Sequence, residues 1–186
     1  MSDYRTKQEL TEFSREYDLS MKYFPLLYRL REEARFLIWI SNGDDSVLVD
    51  ADGSVPSFKD LRTLESFAEQ NGIQLESEPP VIHDLDWVAG WRIAHATEIK
   101  CVQALDAWNL FRDVAASVQA KGAEFAKLDR NEPLIYDKLF WGNNLPAMTP
   151  EGQSYVPQWT LQETQLLAAV LSAGLDLFES CVRNRM

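Results

Sequence analysis

Residues 25–40 read Pro25-Leu26-Leu27-Tyr28-Arg29-Leu30-Arg31-Glu32-Glu33-Ala34-Arg35-Phe36-Leu37-Ile38-Trp39-Ile40. Two apolar runs flank a polar centre, and Pro25 limits any helix because it removes an amide donor and clashes with the preceding turn. The runs therefore read as strands and Arg31-Glu32-Glu33 as the turn of a hairpin. Asn42-Gly43-Asp44-Asp45 is a strong turn signal, and Ser46-Val47-Leu48-Val49 is a short apolar run before a second turn over residues 50–53. Together these segments predict an antiparallel meander.

Moving outward, Ser57 and Asp60 open a helix expected over 58–70, with Leu61, Leu64, Phe67 and Ala68 on one face and Asn71-Gly72 as its stop. Residues 73–75 are expected to resume as strand. Pro79-Pro80 breaks that strand, and residues 81–93 read as a turn-rich crossover. Cys101, Leu105, Trp108, Phe111 and Val114 recur at helical spacing, predicting a helix over 101–118 with Asp106, Asn109 and Asp113 off its apolar face. Thr160 and Glu163 form a capping box ahead of Leu166, Leu167, Val170, Leu171, Leu175 and Phe178, predicting a helix over 161–182. Upstream, Tyr4, Leu10, Phe13 and Tyr17 suggest a short helix over 3–17. Residues 128–159 hold Pro133, Pro146, Pro150 and Pro157 and read as a long aromatic loop, with Tyr136, Phe140 and Trp141 pinning it to the core. The fold expected is α+β: a single domain, residues 1–186, with a mostly antiparallel sheet flanked by helices.

The chain has 186 residues, of which 46% are hydrophobic and 25% charged, enough to bury a sizeable core. No apolar run approaches the roughly 20 residues of a membrane span, and the first residues lack the basic-then-apolar order of a signal peptide, so a cytoplasmic location is expected. Cys101 and Cys181 stand without a CxxC or a neighbouring His, which favours two reduced thiols over a metal site.

Charge is lopsided. Between Asn42 and Asp86 eleven acidic residues face two basic ones, a surplus of nine against a chain total of −11. Such a field attracts cationic partners and repels phosphate backbones, so nucleic acid is not an expected ligand. The plainer alternative is a solvated face that keeps the protein in solution.

Four chemistries can be weighed against these residues. Val47-Leu48-Val49-Asp50-Ala51-Asp52-Gly53-Ser54 resembles the first motif of haloacid-dehalogenase-type phosphotransferases. That resemblance implies Asp50 as nucleophile, Asp52 as acid and base, and Mg²⁺ to offset the charge. Lys121 or Lys127 would supply its lysine, and Asp84 with Asp86 its acidic pair. The alternative is an Asp- and Gly-rich hairpin turn. A calcium loop fails, because aligning Gly53 on the invariant turn glycine puts Leu48 and Lys59 at ligand positions. His83 and His95 have no facing Ser or Cys, so a nucleophilic triad is not expected, and His83 is expected to orient the turn at residues 84–86. There is no glycine-rich phosphate cradle and no basic stripe.

Three segments, His83-Asp84-Leu85-Asp86 with Trp87 after it, Leu105-Asp106-Ala107-Trp108-Asn109-Leu110, and Tyr136-Asp137-Lys138-Leu139-Phe140-Trp141-Gly142-Asn143-Asn144-Leu145-Pro146, are similar in layout to small bacterial immunity proteins encoded beside polymorphic or contact-dependent growth-inhibition toxins. The resemblance implies a cytoplasmic, non-catalytic protein without cofactor or metal that neutralises a cognate toxin domain, commonly a nuclease, encoded by a neighbouring gene. A nuclease must hold a polyanion, so its cleft is basic and clustered carboxylates can occupy it. On that reading the toxin-binding residues are Asp44, Asp45, Asp50, Asp52, Asp84 and Asp86, with Trp141 as an aromatic anchor.

Overall fold

The computed structural model describes residues 21–94 and 98–185. The expected helix over 3–17 and His95 lie outside them. The hairpin is β1 (Lys22–Leu30) against β2 (Glu33–Ser41), antiparallel from Lys22 opposite Ser41 to Leu30 opposite Glu33. Its turn is Arg31-Glu32, both at positive φ (58° and 64°), the conformation whose twist suits a two-residue hairpin. β3 (Ser46–Val47) and β4 (Val55–Phe58) each pair antiparallel with β2, while β5 (Ile82–Asp84) runs parallel to β1 and β6 (Val182–Arg185) parallel to β4. The sheet order is β5-β1-β2-β4-β6, with β3 on β2 beside that path. This is a single α+β domain with a mixed sheet, antiparallel through its centre.

Both faces of the sheet are covered. Side chains alternate along β2: Leu37 and Trp39 point into the main core, Ile38 and Phe36 into a smaller one. The smaller core is closed by α1 (Leu61–Gln70), whose Leu64 and Ala68 meet Phe58; Asp60 caps it by accepting the Thr63 amide at 2.8 Å. The main core lies under α2 (Leu85–Ala94), α3 (Cys101–Ser117) and α6 (Leu161–Cys181). Burial on both faces is why β2 reads as a continuous apolar run. A 3₁₀ turn (Gln119–Gly122), α4 (Ala123–Asn131) and α5 (Pro133–Gly142) wrap the far side of α3. Gly174 lets α6 approach α3 closely, since a Cβ there would lie 2.1 Å from the Phe111 ring. Among the described residues no helix is long and apolar enough to cross a membrane.

Three expectations change. Residues 85–94 form a helix, not a turn-rich crossover: Leu85, Val88 and Trp91 are buried at helical spacing, and Asp84 accepts the Trp87 amide at 3.3 Å at the start of the helix. Residues 128–131 and 133–142 of the expected loop are helical. Pro133 stands in the first turn of α5, where an amide has no helical partner anyway, and Ile135 and Leu139 are buried one turn apart. Residues 73–75 make one isolated bridge, Leu75 to Tyr23, instead of a strand. Cys101 and Cys181 are both free thiols.

Candidate functional site

The residues that open a cleft are prolines. The chain touches β1 at Glu76, whose amide donates to the Tyr23 carbonyl at 2.8 Å, and rejoins it only at β5, where Ile82 lies opposite Leu27. Between these points Pro25 on one side and Pro79-Pro80 on the other have no amide hydrogen to offer a ladder, and residues 77–81 are not paired as strand. The gap so left is a cleft of about 910 Å³ between the sheet edge, the 43–45 turn, α3 and Tyr136 of α5.

Its floor is aromatic and its rim acidic. Phe24 and Trp39, neighbours across the hairpin, pack with ring centroids 5.4 Å apart. Asp44 and Asp45 on the turn and Glu78 on the unpaired segment are exposed at the rim, and Asp113 of α3 lies deeper. Among the described residues Arg112 is the one Lys or Arg of the lining, and it is already engaged: its guanidinium donates to Asp129 Oδ1 at 3.0 and 2.6 Å and lies 4.4 Å from the centre of the Tyr136 ring. Four carboxylates thus face a single guanidinium that a fifth carboxylate neutralises.

Helix α3 supplies the polar wall as a stripe. Asp106, Asn109, Asp113 and Ser117 follow one another at three- and four-residue spacing, so they share a face. Each holds a neighbouring element. The Asp106 carbonyl lies 3.3 Å from His83 Nδ1, Asn109 Oδ1 accepts the Tyr136 hydroxyl at 2.9 Å, Asp113 Oδ2 accepts the Trp39 indole at 2.9 Å, and Ser117 Oγ accepts the Val47 amide at 2.8 Å. Burial drives the titrations here: it lowers the His83 pKa below its ordinary value, and raises that of Asp106. The Asp113 carboxyl is pushed up to about 6 by burial, against the opposing hydrogen bond from Trp39 and with help from the Asp45 charge. His83 points at α3 and does not orient the turn at 84–86. A carbonyl can only accept, so Nδ1 carries the proton.

The expected binding residues fall in three places. Asp44 and Asp45 belong to the cleft. Asp84 and Asp86 sit at the hairpin end, where Asp84 pairs with Arg29 at 2.7 Å and Asp86 accepts the Glu32 amide at 3.0 Å. That end is seven residues along β2 from Ser41, about 23 Å at strand rise. Asp50 is paired with Arg185 beside β6, and Asp52 accepts both the amide and the hydroxyl of Ser54, at 2.9 and 2.6 Å. These Ser54 hydrogen bonds hold the Asp52 carboxyl below its ordinary pKa. Trp141, 50% exposed, packs edge-on against Phe140; five residues past Tyr136, it stands about 140° round α5 from the cleft. The phosphotransferase arrangement also comes apart. β3 is antiparallel and ends at Val47, and Lys121 does reach the turn, donating to the Gly53 carbonyl at 3.3 Å. Asp84, however, is on the opposite edge strand, four strand spacings or about 19 Å from β6.

No protein-family model matches this chain, and no curated protein sequence does. Among solved structures it is similar to the C-terminal domain of SatS, from a crystal structure of that domain in complex with bromine. The identity is 12%, the match covers 94% of this chain and 97% of that one, and the TM-score is 0.49.

Sequence reasoning missed Phe24, Trp39, Glu78 and Asp113 as cleft residues. The signal was available at Asp113: a polar stripe on a helix otherwise buried all round needs partners, and those partners mark a shared wall.

Proposed function

We propose that this chain is a cytoplasmic, non-catalytic binding protein of the immunity type, which holds a basic toxin domain encoded by a neighbouring gene at the cleft described above. One observation carries the reading: an aromatic floor and an acidic rim coincide at one cleft whose single arginine among the described residues is internally paired. Aromatic surface supplies desolvated contact area and slow dissociation, while the rim speeds encounter with a cationic surface. The side chains lining the cleft include no Ser, Thr, Cys or Lys nucleophile among the described residues, and carboxylates beside aromatic rings suit cation recognition.

The test is binding of the adjacent gene's basic domain to the purified chain, followed by growth protection when the two are expressed together. The expected result is a stable complex in which Phe24 and Trp39 lose solvent exchange. A toxin domain that binds with Phe24 and Trp39 unprotected, or does not bind, overturns the proposal.

A further inference from the structure

The fold builds one recognition motif twice. At the first site, Asp129 Oδ1 accepts the Trp108 indole at 2.8 Å and the same carboxylate holds the guanidinium of Arg112. At the second, Asp113 Oδ2 accepts the Trp39 indole at 2.9 Å, and among the described residues no Lys or Arg pairs with it. Arg112, adjacent on α3, is turned to Asp129 and Tyr136 and acts on Asp113 only through its charge, and the nearby turn contributes Asp45, which is itself an anion. The other charged groups lining the cleft are Asp44 and Glu78, and burial lowers the pKa of His83.

We infer that Asp113 with Trp39 is a receptor for a single arginine side chain supplied by the partner. A guanidinium suits the place better than an ammonium. It is planar, weakly hydrated, pairs with a carboxylate through a fork of donors and packs on aromatic rings, and the Phe24–Trp39 pair provides such surface within the same cleft. Its arrival would complete at Asp113 the indole–carboxylate–guanidinium set that Trp108, Asp129 and Arg112 already display. The proposal rests on the binding function above for the identity of the partner, but the receptor is testable without it.

The probe is N-acetyl-arginine amide, titrated into the ¹⁵N-labelled full chain, with N-acetyl-citrulline amide as the uncharged isostere. The readout is the Trp39 indole cross-peak, assigned through Trp39→Phe. Arginine is expected to shift it saturably, citrulline to bind about tenfold more weakly, and Asp113→Asn to weaken the arginine response by about the same factor, the scale of one charge-assisted hydrogen bond. Asp84→Asn, whose partner is Arg29, should leave the response unchanged. An unshifted peak at tens of millimolar arginine, an equal response to citrulline, or an unaltered response in a folded Asp113→Asn overturns the inference. Failure of the parent reading looks different: the arginine response is intact and Asp113-dependent, yet the neighbouring basic domain does not bind. If that domain binds wild type and Asp113→Asn equally, the receptor fails and the binding function stands.

Discussion

The indole nitrogen of Trp39 donates to Oδ2 of Asp113 over 2.9 Å, tying the middle of the sheet to the central helix at the floor of the cleft. This one bond holds an ionisable group where water is scarce. The folded chain keeps the Asp113 proton up to about pH 6, whereas the unfolded chain releases it near 3.8. Between those values the folded state binds more protons, so this group lowers stability as pH rises, with the full penalty above about 6. Asp113→Asn keeps an acceptor for the indole and removes the charge. Urea unfolding at pH 4 and pH 7.5 should show the variant gaining on wild type at the higher pH, by on the order of 1–2 kcal/mol. His83, depressed by burial, favours the folded state above its ordinary 6.5 and loses that contribution as pH falls. Comparing the two proteins at each pH cancels it.

Gly174 and Gly90 both lie inside helices, and propensity alone would have alanine stabilise either by up to about 1 kcal/mol. Packing reverses the sign at Gly174, where the new Cβ would sit 2.1 Å from Cδ2 and 2.9 Å from Cβ of Phe111. Gly174→Ala should cost about 1–3 kcal/mol by overpacking, while Gly90→Ala, with nothing within 4 Å, should raise the thermal midpoint slightly. Thermal denaturation of the two variants side by side checks this.

Glu163 works at the start of α6 in two ways. It completes the capping box with Thr160, and its carboxylate accepts Lys138 of α5 at 2.6 Å. The Lys138 hydrogen bond, then the Thr160 amide, pull its pKa down to about 2. A depressed carboxylate stabilises the fold above its unfolded pKa of 4.5 and loses that contribution as pH falls from 4.5 towards 2. Acid unfolding of wild type should therefore be steeper over that window than acid unfolding of Glu163→Gln. Thr160→Ala should cost about 1 kcal/mol at neutral pH, measured by urea unfolding.

What the sequence discloses follows from how local each signal is. The hairpin and the capping box at Thr160 are set by residues within a few positions of each other, and they stand where the spacing places them, whereas the helix expected from residue 58 begins at Leu61 with Asp60 as its cap, because Ser57 and Phe58 belong to β4. The helices at 85–94 and 133–142 are hard to read because proline signals a break as readily as a start, and here Pro133 opens a helix. The cleft depends on contacts between distant segments. Asp84 and His83 are adjacent in sequence but face opposite ways, one to Arg29 and the other to Asp106, as alternation along a strand demands. Acidity in a 45-residue window therefore could not reveal which carboxylates share a surface. The intramolecular partners of Asp50, Asp84 and Asp86 only became visible in three dimensions.

Those partners separate the acids into two experimental classes. Charge reversal at Asp44 and Asp45 removes rim charge with no ion pair broken among the described residues, while reversal at Asp84 breaks its pairing with Arg29. The most direct measurement is the association rate constant of the proposed basic partner domain with wild type, Asp44→Lys/Asp45→Lys and Asp84→Lys, at low and physiological salt. The account predicts that the rim double variant associates about tenfold or more slowly at low salt, with the gap narrowing as salt rises, while Asp84→Lys loses stability but keeps an association rate near that of wild type. Equal rates for wild type and the rim variant, or a larger loss from Asp84→Lys, would contradict it.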